Sequence, residues 1–409
     1  MASDRVLIVG TGHAATSAAS ALRRAGFDGL IDLIGDETEL PYQRPPLSKE
    51  YLSGAMDDRQ ILLHPEEYWN DRSISFHLGD GAAEIDPRRQ EVVTRSGRRY
   101  GYTHLIWAAG GHARRLACEG GDLPGVHTLR SRTDAQRLRA EVVDAERIVV
   151  AGGGYVGLEA AATLATAGKQ IVLLEAQDRL LARVAGEPIS EFYEREHRLH
   201  GVDIRTGSSV VSIEGAGGRM NAVRLHDGEL IAASMMIVGI GLVPNVAALI
   251  NAGAEGDNGV SVDPQCRTSL PNVYAIGDCA LHASRFADGR WIRLESIQNA
   301  HDQAAIAAKA IVGQDVAYDA VPWFWSHQYD LKLQTVGLSM GYDDVVVRGQ
   351  SEARSFSLIY RRQGRVIALD CVNATRDYVQ GRRLVEEGAR ATAKELADVA
   401  TPLKSFAAA

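Results

Sequence analysis

Gly152, Gly154 and Gly157 stand in G-x-G-x-x-G spacing, and a carboxylate, Glu175, follows about 20 residues further on. The chemistry of that set is the holding of a dinucleotide. Gly152 permits a tight turn, Gly154 lets backbone reach a pyrophosphate, and Gly157 lets a helix pack closely on a strand. The pyrophosphate would sit on a helix N-terminus, where N–H groups and the dipole favour an anion. Glu175 would accept the ribose hydroxyls. A second set near the start, Gly10, Gly12 and Ala15, keeps the spacing with alanine in the third place. Its acid is Asp36 or Glu37; Asp36 comes first after the strand and is preferred. Two such sets imply two dinucleotides, most naturally a tightly held FAD and a diffusible NAD(P)H.

The elements that must position these residues are legible around them. Ile148–Ala151 is an apolar run of the kind a buried parallel strand needs, and Ile171–Leu174 is a second one ending on Glu175. Between them lies a helix with Ala160, Ala161 and Ala162 on the face that approaches the sheet. The same order recurs from Arg5, with a helix to about Ala25 and a strand before Asp36. A loop stiffened by Pro41, Pro45 and Pro46 follows, carrying Arg44 and Lys49 with Glu50 as the acid beside them. It reads either as a solvated basic loop or as part of the first nucleotide site. The run HLIWAAGG (104–111), containing Ala109, and the run MMIVGIGLVPN (235–245) end in small residues that let backbone pass close to a ligand. Asp278 follows a buried strand, Val273–Ile276, and Gly277. A carboxylate there suits hydroxyl binding, such as a ribityl chain, and equally suits a helix N-cap. Residues 295–313 read as an amphipathic helix. The last segment reads as strands over 343–348, 354–361 and 364–371 with a helix from about Tyr378 to Glu387, a small α+β unit. The tail, Thr401–Ala409, is expected to fray.

Composition sets the bounds. At 409 residues the chain implies two or three domains, and 45% hydrophobic with 23% charged residues is a globular balance. A net charge of −8 argues against nucleic-acid binding. No apolar run approaches membrane-spanning length, and the N-terminus enters a strand at once, so a cytoplasmic protein without a signal peptide is expected. The cysteines (Cys118, Cys266, Cys279, Cys371) are scattered, with neither a disulfide framework nor zinc-ligand spacing, and no H-E-x-x-H occurs; no metal is expected. No cysteine precedes Cys118, which excludes flavin disulfide reductases. The stretch LPYQRPPL likewise lacks the single cysteine of peroxide reductases of this type.

The order fingerprint, P-Y-Q-R-P-P-L-S-K, fingerprint, G-I-G-L-V-P-N, Y-A-I-G-D, E-S-I-Q-N-A, W-F-W-S-H-Q-Y-D resembles, over essentially the whole chain, the single-component NADH-dependent ferredoxin reductases of bacterial oxygenase systems. The resemblance implies an α/β fold with two Rossmann-like domains of the glutathione-reductase type and a C-terminal α+β domain. FAD would bind residues 1–112 and 245–320, NAD residues 113–244, and residues 321–409 would form an interface domain. It implies hydride transfer from NADH to FAD N5, then single-electron steps to a [2Fe–2S] ferredoxin serving a cytochrome P450 or Rieske oxygenase. By the same resemblance Lys49 bonds the flavin N5 with Glu159 as its partner, Arg44 approaches the FAD phosphates, and Asp278 meets the ribityl chain. Glu295 lies near the nicotinamide amide and Trp325 beside the isoalloxazine. A monomer or weak dimer is expected. Two positions depart from the family pattern. Ile297 stands where tryptophan is frequent, and His327 replaces an aspartate; the histidine is either a titratable cation near the flavin or a surface residue without a role. The rival readings are rubredoxin reductase-like and monodehydroascorbate reductase-like flavoproteins, and a non-catalytic NAD-binding sensor.

Overall fold

A computed structural model of the chain describes residues 4–407. The chain divides into two compact units, the first formed by residues 4–43, 61–112 and 243–324, the second by 44–60, 113–242 and 325–407.

The first unit is built on five parallel strands in the order Val273–Ala275, His104–Trp107, Arg5–Val9, Leu30–Ile34, Ile74–His77. Successive side chains of a strand point to opposite faces, so Arg5–Val9 feeds two cores. Val6 and Ile8 join Ala15, Ala18, Ala19 and Leu22 of the helix His13–Arg24 and Ala304, Ala307 and Ala308 of the helix Ile297–Ile311. Leu7 and Val9 join Val92, Leu105 and Trp107 on the other face. Both faces are covered, which is why this strand is a continuous apolar run rather than an alternating one. The alanines let the two helices lie close to each other and to the sheet.

The second unit repeats the plan. Its parallel strands run in the order Asp203–Arg205, Gln170–Leu174, Arg147–Ala151, Met235–Val238, Val126–Thr128. The helix Tyr155–Thr166 connects the strand before the glycine pattern, Arg147–Ala151, to the strand after it, Gln170–Leu174. The C-terminal segment is a five-stranded sheet in the order Trp323–Gln328, Leu331–Gly337, Arg365–Val372, Ser355–Arg362, Asp344–Gln350, with the helix Thr375–Glu387 against it. This mixed α/β fold carries the two nucleotide-type sheets expected of the chain and the α+β element after them.

Two expectations change. The stretch from Trp323 to Gly337 is a hairpin whose turn places Tyr329 at φ 56°, a left-handed conformation unusual for a large side chain. The tail is not frayed as far as residue 407. Leu403 is fully buried, and the buried Arg348 donates to the carbonyls of Leu396 (3.0 Å) and Thr401 (2.9 Å) and to Asp377 Oδ2 (3.0 Å). A buried guanidinium needs such acceptors, and here the backbone of the tail supplies them. Residues 408 and 409 lie outside the described residues.

Candidate functional site

Both glycine turns have the geometry of a dinucleotide cradle. Gly10 and Gly152 adopt φ of 115° and 109°, and their N–H groups donate to Ile34 O (2.8 Å) and Leu174 O (2.7 Å), closing each turn against the neighbouring strand. A Cβ at Gly10 would lie 2.3 Å from Ala108 O, at Gly152 2.4 Å from Gly239 O, and at Gly157 2.0 Å from Gly152 O. Only glycine fits these three positions. Ala15 is fully buried in the place that corresponds to Gly157. Gly12 and Gly154 are the extended N-cap residues of their helices, with no side-chain cap and no acid in the first turn. A Cβ at Gly154 would enter open space. Uncapped helix N-termini with no acid in the first turn suit a pyrophosphate, so the residues present fit FAD and NAD.

Glu175 follows its strand directly and is held from both sides. Gly153 N donates to Oε2 at 2.7 Å and Gln177 N to Oε1 at 2.8 Å. Asp36 is one residue further from its strand, because Gly35 occupies the matching place and a Cβ there would press on Thr11. Asp36 is exposed and lies 3.6 Å from Arg95; the alternative acid, Glu37, accepts from Tyr42 Oη. Ala109 O accepts from Asn245 Nδ2 (3.1 Å), and Trp107 Nε1 donates to Asn245 O (2.7 Å). The asparagine of G-I-G-L-V-P-N thus fixes the small-residue run beside Gly10. Asp278 lies within the short turn Gly277–Cys279, whose N-cap is Ile276, so it is not a helix N-cap. Gly277 N is fixed by the buried Gln303 Oε1 at 2.7 Å. Glu295 is exposed and bonds Arg293 at 2.7 Å, directly before Ser296, which caps the helix Ile297–Ile311. Arg44 donates to Arg130 O at 2.8 Å.

Lys49 and Glu159, 110 positions apart, meet at 2.6 Å with side chains only 13% and 7% exposed. Two further donors complete the carboxylate. Ser48 Oγ lies 2.6 Å from Oε2, and Ser326 Oγ 2.8 Å from Oε1. Thr163 Oγ1, one turn on from Glu159, donates to Ser48 O at 2.9 Å and pins the lysine loop to the same helix. A largely buried ion pair survives only when its remaining lone pairs are satisfied, and here they are. The two serines were not foreseen, although both stand inside the motif strings P-L-S-K and W-F-W-S.

Trp325, half-buried, precedes Ser326 on the strand Trp323–Gln328. His327 is exposed; burial of part of its ring, then Lys49 and Lys332, hold it below the ordinary histidine value. That direction runs against the titratable-cation reading. Ile297 opens its helix, half-buried. The buried thiols of Cys266, Cys279 and Cys371 are all pushed up by burial, Cys279 to about 12, so they are unreactive thiols and not a redox pair.

The model of the family described as "Pyridine nucleotide-disulphide oxidoreductase" matches residues 4–304, and the one described as "Reductase C-terminal" matches 323–407. The chain is 54% identical to the 5,5'-dehydrodivanillate O-demethylase ferredoxin reductase subunit of a Sphingobium strain, over 98% of both chains. The solved ferredoxin reductase for the CYP199A2 system of Rhodopseudomonas palustris superposes with a TM-score of 0.96 at 39% identity, covering 99% of this chain and 100% of that one. The reductase in the covalent putidaredoxin reductase–putidaredoxin complex gives 0.95 at 38%, covering 98% of each. No helix among the described residues is long and apolar enough to cross a membrane. The chain belongs to the pyridine nucleotide-disulphide oxidoreductase family, as an FAD- and NAD(P)H-using enzyme.

Proposed function

We propose that this chain passes electrons from NADH through FAD to a [2Fe–2S] ferredoxin that serves an oxygenase. The observation that carries the reading is the Lys49–Glu159 pair, largely buried at 2.6 Å, with Glu159 on the helix that opens at Gly154. In this reading residues 1–112 and 245–320 hold FAD, residues 113–244 hold NADH, and 321–409 form the interface domain. The bound flavin supplies the conversion of a two-electron donor to one-electron transfers. The protein's share is position and charge. Gly10, Gly12 and Ala15 admit one pyrophosphate, Gly152, Gly154 and Gly157 the other, Asp36 and Glu175 take ribose hydroxyls, and Asp278 takes the ribityl chain. Ala109 would bring backbone close to the flavin, Glu295 would orient the nicotinamide amide, and Trp325 would pack beside the ring. Lys49 offers an ammonium to charge arriving at the flavin, and Glu159 keeps that ammonium in place. The test is an anaerobic titration of the purified yellow protein with NADH. Bleaching of the flavin band at one equivalent is expected; a colourless protein, or a band that NADH leaves unchanged, contradicts the reading.

NADH is preferred to NADPH. The Glu175 carboxylate is fixed by two backbone N–H groups and would repel a 2′-phosphate. Arg179 and Arg183 are the nearest cations; Arg179 is turned inward onto Ala182 O, Ala185 O and Ser190 Oγ, and Arg183 is exposed and would soften the preference. Steady-state kinetics should give a kcat/KM at least about tenfold higher for NADH, and equal values would rule out the assignment of Glu175.

Arg44 helps hold FAD. It donates to Arg130 O, and the planar fork of a guanidinium suits a phosphate. Arg44→Ala should purify with a lower flavin-to-protein absorbance ratio; full occupancy would remove Arg44 from the site.

The ferredoxin surface is basic. Of the C-terminal arginines, Arg361 is engaged by Asp344 and Ala391 O, and Arg383 by Glu387, while Arg365 and Arg382 are exposed. Ferredoxin reduction at low ferredoxin concentration should slow as salt rises, because charge steers encounter over a screening length of about 10 Å at 0.1 M. A rate independent of ionic strength would exclude a charged surface.

A further inference from the structure

We propose that Gln328 and His197 are positioning residues for Glu159, acting through a one-way hydrogen-bond chain, Tyr329–His197–Gln328–Ser326–Glu159. This rests on the reading of Lys49 and Glu159 as the catalytic pair.

The links are short and enclosed. Tyr329 Oη lies 3.0 Å from His197 Nδ1, His197 Nε2 2.8 Å from Gln328 Oε1, Gln328 Nε2 3.2 Å from Ser326 Oγ, and Ser326 Oγ 2.8 Å from Glu159 Oε1. His197 and Ser326 are fully buried, and Gln328 is 1% exposed. The chemistry of the groups sets the direction. Gln328 gives an N–H to Ser326, so its oxygen faces His197 and can only accept. His197 Nε2 must therefore carry the ring hydrogen. Burial lowers the His197 pKa to about 4, which keeps the ring neutral, so Nδ1 is an acceptor for Tyr329. Ser326 accepts from Gln328 and spends its own hydrogen on Glu159. Every member donates toward the carboxylate, the arrangement in which successive bonds polarise one another in the same sense.

The chain also joins three parts of the second unit. His197 is on the helix Glu187–Leu199, Ser326 and Gln328 are on the first strand of the C-terminal hairpin, and Glu159 is on the helix after the glycine turn. Tyr329 occupies the turn in its left-handed conformation and stacks on His200 at 3.7 Å, which fixes the far end. The consequence falls on the carboxylate. With Oε1 held by Ser326, Oε2 is the oxygen presented to Lys49 and Ser48. Cutting the chain frees the carboxylate to turn and leaves Lys49 less well aimed, while the glycine turns at Gly10 and Gly152 are unchanged.

The experiment cuts the chain at its middle. Gln328→Met keeps the side-chain length and removes both bonds. It should lower the rate of flavin reduction at saturating NADH by about fivefold, with the Kd for NADH within about twofold of wild type. In a Glu159→Gln background, Gln328→Met should have no further effect. Ser326→Ala should behave like Gln328→Met, and Ser326→Thr, which keeps the hydroxyl, should restore most of the rate. Nitrogen-15 NMR of the histidine-labelled holoprotein gives a readout that does not depend on turnover: His197 should be the neutral Nε2–H tautomer, with its signals displaced in Gln328→Met. A slow Glu159→Gln with wild-type Gln328→Met and Ser326→Ala overturns the proposal and leaves the catalytic reading standing. So does an Nδ1–H tautomer at His197. A wild-type rate in Glu159→Gln overturns the catalytic reading itself, and the NMR outcome then still decides whether the chain exists.

Discussion

Glu159→Ala and Lys49→Ala each slow the reduction of the bound flavin by NADH at least about tenfold, a barrier increase of about 1.4 kcal/mol. The two side chains are 2.6 Å apart and nearly buried, so removing one leaves the other charged and poorly solvated. The lysine variant loses the cation directly. The glutamate variant releases it, since Ser48 Oγ, at 3.3 Å from Lys49 Nζ, is a weaker anchor than a carboxylate. Charge placed in advance acts without reorganisation at the moment of transfer, and that advantage is lost in both variants. FAD content should stay close to wild type, because the cradle at Gly10 is intact. Stopped-flow bleaching of the oxidised flavin band is the measurement; wild-type rates in both variants would show that the pair serves stability alone.

Asp370→Asn makes the protein more stable than wild type above neutral pH, and the advantage fades toward pH 4. Asp370 is buried in the C-terminal sheet, and burial pushes its carboxyl up to about 7 from 3.8, against the opposing effect of the bond from Tyr360 Oη at 2.6 Å. The folded state therefore holds a proton that the unfolded chain has released between about pH 4 and pH 7, and stability falls as pH rises through that window. The shift corresponds to a loss on the order of 4 kcal/mol. His197 and His282, both lowered to about 4 by burial, act in the opposite sense, gaining stability between about pH 4 and 6.5. The difference between wild type and Asp370→Asn cancels them. Asparagine keeps an acceptor for Tyr360, which in turn accepts from Gly186 N (3.1 Å) at the start of the helix Glu187–Leu199. Denaturant unfolding of both proteins at pH 5 and pH 8 is the check. A stability difference unchanged between the two pH values would mean that Asp370 is already ionised in the folded protein at pH 5.

What was legible in the sequence was what depends on local spacing. The glycine turns announce themselves because backbone sterics leave no alternative at Gly10, Gly152 and Gly157. Glu175 was readable because it ends a strand whose neighbours fix its register. Asp36 was less so, since the intervening Gly35 offsets it by one residue and leaves Glu37 in competition. The meeting of Lys49 with Glu159 is a tertiary fact that no spacing encodes; it was available only through the family resemblance. Ser48 and Ser326 could have been found by asking what satisfies a buried carboxylate. His197 and Gln328 carry no local signal, because a buried neutral histidine looks like any other histidine in a helix. The hairpin Trp323–Gly337 was missed because aromatic and polar residues dominate its first strand, and the tail because nothing in its sequence announces that Arg348 will collect its carbonyls.

The measurement that bears most directly on the central claim is NADH-driven reduction of cytochrome c by the purified FAD-loaded protein, with and without an added [2Fe–2S] ferredoxin. The account predicts slow reduction by the reductase alone and a rate that rises with ferredoxin concentration to saturation. A rate indifferent to [2Fe–2S] ferredoxin, or one raised only by a rubredoxin, would contradict it.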